Sequence, residues 1–79
     1  MFKHEYFICQ VFDSDIFQEQ CTALEKNIPE LKKGDYAVDV DSSQIQIYWL
    51  NDKKVRVLNT PIFGVEVNSE VDLLPYFEN

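Results

Sequence analysis

The stretch Tyr36-Ala37-Val38-Asp39-Val40-Asp41-Ser42-Ser43-Gln44-Ile45-Gln46-Ile47-Tyr48-Trp49-Leu50-Asn51-Asp52-Lys53-Lys54-Val55-Arg56-Val57 decides the fold. Tyr36, Val38 and Val40 alternate with Ala37, Asp39 and Asp41, and Ile45, Ile47 and Trp49 alternate with Gln44, Gln46 and Tyr48. A period of two marks a strand with one buried face. Strands this close in sequence pair as a hairpin. Their register follows from matching apolar to apolar, because a slip of one residue turns every side chain to the other face. With Ser42-Ser43 at the tip, Val40 is expected opposite Ile45, Val38 opposite Ile47 and Tyr36 opposite Trp49, which leaves Asp41 with Gln44 and Asp39 with Gln46 outside. Ser-Ser is a poor occupant of the positive φ angles of a tight hairpin turn, so a four-residue loop holding that register is expected. At the second turn, a two-residue Asn51-Asp52 loop would set Trp49 opposite Lys54. A three-residue Asn51-Asp52-Lys53 loop instead sets Trp49 opposite Val55, Ile47 opposite Val57 and Tyr48 opposite Arg56, and is the expected one.

Upstream, residues 5–12 are apolar on both alternating faces, which predicts a central strand covered on both sides. A helix follows. Asp13 is placed to cap it, Phe12 and Phe17 occupy the positions of a hydrophobic staple, and Asp15 suits the positive end of the helix dipole. Phe17, Cys21, Leu24 and Ile28 fall on one apolar stripe, and Pro29 ends the helix. Downstream, a last strand over 63–67 has Pro61 at its entry, which predicts a strand start or a sheet edge. The apolar tail 71–77 is expected to close one end of the core, with docking on a partner as the alternative, since a small domain needs every apolar group it has. The whole reads as one compact α+β domain, 1–79. Its order is β-α-β-β-β-β, with a mainly antiparallel sheet of four to five strands and one helix across one face. The opposite face is expected to carry Asp39, Asp41, Gln44, Gln46, Tyr48, Lys54 and Arg56.

At 46% hydrophobic and 14% aromatic, the 79 residues suffice for one core and no second. Fourteen Asp and Glu stand against seven Lys and Arg, a net charge of -7. Direct nucleic-acid binding is therefore disfavoured, because phosphates are held by clustered cations and the nearest approach here is Lys32-Lys33 with Lys53-Lys54-Arg56. An anionic membrane is disfavoured for the same reason, and no apolar run approaches the roughly 20 residues that span a bilayer. The favoured partner is a basic surface on another protein, above all one that itself binds nucleic acid. Phe2-Lys3-His4-Glu5 leads into a strand rather than an apolar leader, so a cytoplasmic location is expected. Cys9 and Cys21 form no CxxC pair and are expected as thiols, not as a disulfide.

No catalytic constellation assembles from these residues. His4 lies five residues from Cys9, an odd spacing that puts the two on opposite faces of one strand. Asp39-Val40-Asp41-Ser42-Ser43 opens like a calcium loop, yet Gln44 stands where the sharp turn needs glycine and Leu50 where a bidentate Glu is needed. Asp13-Ser14-Asp15 is accounted for by helix capping. Gly34 and Gly64 stand alone, so no phosphate-cradling loop exists. The expectation is a protein that is not an enzyme and carries neither metal nor cofactor.

Acidic rows remain as the feature with a functional lean. On an extended strand Asp39 and Asp41 would point the same way at about 6.6–6.8 Å, and Asp15 and Glu19 lie about 6 Å apart along a helix axis. Such rows can occupy a groove built for phosphates, although an acidic surface also keeps a protein soluble. The expected partner-binding set is Asp39, Asp41, Gln44, Gln46 and Tyr48 with Asp13, Asp15 and Glu19. In size, charge and lack of catalytic parts, the chain resembles the small acidic inhibitors carried by phages and mobile elements, and the immunity proteins that neutralise nucleases. That resemblance implies an anti-defence inhibitor or nucleic-acid mimic working in a host cytoplasm. The alternative is a structural or regulatory subunit associating through the sheet edge at 63–67 and the apolar tail, with a homodimer as one form.

Overall fold

The computed structural model describes residues 2–77, the Phe77 side chain excepted. Among these residues the elements run β1 (His4–Cys9), α1 (Ser14–Asn27), β2 (Lys32–Val38), β3 (Gln44–Leu50), β4 (Lys53–Thr60), β5 (Gly64–Ser69) and α2 (Leu74–Phe77). The strands form one antiparallel sheet in the order β1-β5-β4-β3-β2. The expected α+β class and element order are therefore observed, with α1 packed across β4.

Helix α1 forms as its sequence dictates. The Asp13 side chain accepts from the backbone N–H groups of Asp15 and Ile16 at 2.9 and 3.0 Å, and the Ile28 N–H closes the last turn on the Leu24 carbonyl before Pro29. Phe17, Cys21, Leu24 and Ile28 are all buried. Beneath them lie Tyr48 and Leu50 from β3, Val55 and Val57 from β4, and Val65 and Val67 from β5. The C-terminal segment closes the core on the β1 side. Leu73 is buried, its N–H donates to the Tyr6 hydroxyl at 2.8 Å, and that hydroxyl lies 3.0 Å from Asp72 Oδ1. The expected closure thus rests on Leu73; the part of it assigned to the Phe77 side chain lies outside the described residues.

Both hairpin registers differ from expectation. The Asp39 N–H donates to the Ser43 carbonyl and the Ser42 N–H to the Asp39 carbonyl, with Ser42 at φ 72. The loop is therefore Val40-Asp41-Ser42, a turn followed by one residue in the left-handed region. Val38 pairs with Gln44, Ala37 with Ile45 and Tyr36 with Gln46. At the second turn Asn51 accepts a φ of 60, the two-residue loop forms, and Trp49 does face Lys54. Each shift is by an odd number of residues, so Gln44, Gln46 and Tyr48 turn to the helix side and Ile45, Ile47 and Trp49 to the uncovered side.

Hydrogen bonding makes that reversal tolerable, because a buried polar group with partners costs little. Gln46 Nε2 lies 3.0–3.3 Å from the carbonyls of Ile47, Gly34 and Asp35, filling the bulge between Lys33 and Tyr36. The Tyr48 hydroxyl donates to Glu25 at 2.5 Å.

Two further placements are corrected. The first strand spans His4–Cys9, not 5–12, and pairs only with β5, so it is an edge strand and its Phe7 is 70% exposed. The last strand, β5, lies between β1 and β4, so it is no edge. Pro61 sits in the turn ahead of β5, where its missing N–H removes no ladder bond.

Gly64 opens β5 at φ 76, and a Cβ there would overlap the Cys9 carbonyl and the Gln10 backbone. Gly64→Ala is expected to cost at least about 2 kcal/mol, since left-handed backbone strain alone is worth about 1–2 and neither obstructing group is a movable side-chain tip. A urea titration measures it; a loss below about 1 kcal/mol would mean that β1 yields easily.

Candidate functional site

The start of α1 is fixed to the sheet by a short polar chain. The Asp13 N–H donates to Asn59 Oδ1 at 3.1 Å, Asn59 Nδ2 donates to Gln44 Oε1 at 2.8 Å, and Ser14 Oγ donates to that same oxygen at 3.1 Å. Asn59 is fully buried. Gln44 is the first residue of β3, directly after the β2–β3 loop, and its Nε2 continues the chain by donating to the Tyr36 hydroxyl at 3.0 Å. These bonds bring the helix start, with Asp13 and Asp15, to the same end of the molecule as the loop, with Asp39 and Asp41.

Three of those four carboxylates are held in place by backbone donors. Asp13 caps the helix, Asp39 accepts from the Val40 N–H at 2.8 Å, and Asp41 accepts from the Ser43 N–H at 3.0 Å. Hydrogen bonds from Ser43 hold the Asp41 carboxyl below the usual carboxylate range, so it stays charged. Asp15 is exposed and Glu19 follows one turn along the helix, also exposed. No Lys or Arg belongs to this end. Lys32 pairs with Trp49, Lys53 and Lys54 sit at the β3–β4 turn, Lys26 is in the last helical turn and Lys3 precedes β1, all of them at the opposite end.

The eight residues expected to bind a partner therefore divide. Asp15, Glu19, Asp39 and Asp41 are exposed, Asp13 and Gln44 are half-buried and occupied by local bonds, and Gln46 and Tyr48 are buried on the helix side of the sheet. The two-residue strand spacing does not apply to Asp39 and Asp41, because Asp41 lies in the turn that begins after Asp39.

A second feature escaped the sequence reading. Between α1 and β2 runs a groove of about 320 Å³, open to solvent and lined by Phe17, Gln18 and Cys21 on one side and Lys33, Tyr36 and Gln46 on the other. Tyr36 is 53% exposed beside it, and Val38, two residues on in β2, is 58% exposed. At one end Glu25 both accepts from Tyr48 and faces Lys33 Nζ at 3.5 Å. Burial pushes the Cys21 thiol up against a smaller downward pull from the Tyr48 hydroxyl, so at neutral pH it is a protonated thiol and no nucleophile. Cys9 and Cys21 are both free. Among the described residues no three His, Cys, Asp or Glu side chains gather closely enough to hold a metal ion, and no helix is long and apolar enough to cross a membrane. No known protein family, no curated protein and no solved structure matches this chain.

Burial first, and the Glu25 carboxylate second, push the Tyr48 phenol far above its ordinary value of 10.0. A folded-state value above the unfolded one gives stability that is complete below pH 10.0 and lost as pH rises beyond it. Tyr48→Phe is expected to lose about 1–2 kcal/mol at pH 7 through the missing hydrogen bond, and to show a smaller further loss between about pH 9.5 and 11 than the parent. Urea midpoints at the two pH values check this; parallel losses would mean that Tyr48 is not the titrating group.

Proposed function

We propose that this chain is a non-catalytic binding protein that presents its acidic end to a basic surface on another protein, one that handles nucleic acid. One observation carries the reading: the net charge of -7 is not spread evenly. Asp13, Asp15, Asp39 and Asp41 stand at one end with no cation among them, whereas at the other end the lysines are interspersed with Glu25, Glu30, Asp52, Glu70 and Asp72 and nearly cancelled by them. An acidic surface that served solubility alone would gain nothing from that segregation. Carboxylates fixed by backbone donors also lose little freedom on binding, which favours a protein partner over diffuse counter-ions. A surface evolved to take phosphates is the basic surface most complementary to such a patch, and blocking it would make this protein an inhibitor of the anti-defence type.

A second reading is favoured by the uncovered face of the sheet. Ile45, Ile47 and Leu58 are half-buried there with no helix or strand of the described residues packed over them, and Trp49 is 40% exposed with Lys54 Nζ 5.6 Å from its ring centroid. A structural or regulatory subunit would associate through this face, not through the strand at 63–67, which is interior.

Salt separates the two. The triple substitution Asp15→Asn, Asp39→Asn and Asp41→Asn removes charge and keeps the side-chain oxygens that hold the turn. Against a partner recovered from the source organism, it is expected to slow association about 10-fold or more at low salt, to flatten the dependence on ionic strength, and to leave the circular dichroism spectrum unchanged. Duplex nucleic acid should compete with the parent protein. Binding that ignores the triple substitution, salt and duplex alike would instead support the uncovered face.

A further inference from the structure

Helix α1 leaves one flank of its own face of the sheet bare. Five strands span about 19 Å and a helix with its side chains about 10–12 Å, so a helix centred on β4 cannot reach both edges. On the β1 flank the chain fills the gap itself with Val71 and Leu73, tied down through Tyr6 and Asp72. On the β2 flank nothing of the described chain does so, and the groove between α1 and β2 remains.

The backbone along that groove asks for a strand. In an antiparallel ladder, residues alternate between bonding their neighbour and pointing away from it. The Asp39 N–H is bonded to Ser43, in the same register that sets Ala37 opposite Ile45, so Asp39 and Ala37 point inward. Tyr36 and Val38 then aim their N–H and C=O groups outward. Since β2 is the last strand of the sheet, four backbone groups lie along an open edge. Upstream the bulge and Lys33, which faces Glu25, end the usable stretch. Such bulges and charges are the usual protection of an edge; Tyr36-Ala37-Val38 has none.

The charges beside those three residues select the occupant. The order is Asp35-Tyr36-Ala37-Val38-Asp39, with an exposed carboxylate at each end. A second copy of this chain that paired Tyr36 with Val38 in both directions would set Asp35 directly opposite Asp39, twice, and like charges directly opposite are destabilising. A strand with basic residues at those two positions meets attraction instead. The side chains opposite Tyr36 and Val38 point into the groove, where Phe17, Cys21 and the Tyr36 ring offer apolar contact beside the polar Gln18, Lys33 and Gln46.

We infer that the edge of β2 is a docking site for an extended segment of a partner protein. The segment pairs antiparallel with Tyr36 and Val38, places two apolar side chains in the groove beside α1, and sets a basic residue against Asp35 and another against Asp39. This is strand addition to an open sheet edge, in which backbone bonds supply affinity and alternate side chains supply selectivity. It deepens the acidic-binder reading and rests on it for the charge of the occupant; the edge geometry stands apart from it.

The test uses the intact protein and a capped pentapeptide, acetyl-Lys-Val-Thr-Val-Lys-amide, followed by amide chemical shifts. Saturable shifts at millimolar peptide, confined to 34–40 and the groove side of α1, are expected. A peptide with Glu for both Lys should bind about tenfold more weakly or worse. An analogue N-methylated at both Val residues, which lacks the two donors aimed at β2, should not bind, and this control leaves the protein untouched. Val38→Pro, which removes an outward donor, should also abolish binding. If the N-methylated peptide binds as well as the parent, charge attraction alone is at work: the edge site is overturned and the acidic-binder reading stands. If the Glu peptide binds as well as the Lys one, the edge is real but the basic occupant is wrong. Shifts at the same residues that grow with protein concentration alone, with a doubling of mass, would make a second copy the occupant and overturn the inference.

Discussion

One helix of fourteen residues has to shield a sheet five strands wide, and most of the molecule follows from that mismatch in width. Helix α1 lies over β4, and the apolar side chains beneath it are those of the three central strands. What lies beyond its reach needs another cover or stays open. The C-terminal segment covers the β1 side. On the β2 side a polar chain runs out from under the helix instead, from the Asp13 N–H through Asn59 and Gln44 to the Tyr36 hydroxyl. A buried asparagine, such as Asn59 near the end of β4, is costly unless both ends of its amide are bonded. Here both are, and each bond fixes a different element: one the helix start, the other the strand beside the acidic loop. The acidic end and the open edge are neighbours because the same residues place both.

The helix and β4 were legible from local chemistry alone. Asp13, the Phe17-Cys21-Leu24-Ile28 stripe and Pro29 each act on backbone within a few residues, and Val55 and Val57 alternate with Lys54 and Arg56 in a strand whose two faces differ clearly. Strand β3 has no such clarity. Its two faces are Ile45, Ile47, Trp49 and Gln44, Gln46, Tyr48, Leu50, and the more apolar set is the wrong choice for the core. The decision rests on partners remote in sequence: Glu25 for Tyr48, and the carbonyls of Gly34 and Asp35 for Gln46. Turn chemistry adds to the ambiguity, since Ser42 and Asn51 both take positive φ values. The two-residue loop after β3 turns that strand over against β4, and the three-residue loop before it returns Tyr36 and Val38 of β2 to the helix side.

The same reversal explains what was and was not legible in the site. That Asp13, Asp15, Asp39 and Asp41 are acidic and accessible needs only their types and positions. That they share one end needs the contact between Asp13 and Asn59, 46 residues apart, which no local pattern announces. Gln46 and Tyr48 entered the expected site only because β3 was turned outward. Tyr36 and Val38 lie on the helix side as their alternation predicts, but β2 is the outermost strand and beyond the reach of α1, which no local pattern announces.

Charge and edge also act over different ranges. At physiological salt an exposed carboxylate is screened beyond about 8 Å, so the four aspartates act only on what is nearly in contact. Within that range they speed encounter more than they prolong the complex. Backbone pairing has the opposite character, since it is nearly indifferent to salt and must be broken before the partner leaves. Because differences in affinity between related complexes arise mainly in dissociation, an acidic end on its own would give a fast, weak and salt-sensitive association. In the proposed complex an open edge beside it would supply the slow step that charge cannot. There the placement of Asp35 and Asp39 on either side of Tyr36-Ala37-Val38 would couple the two, because the residues that attract the basic segment would also register it against the strand.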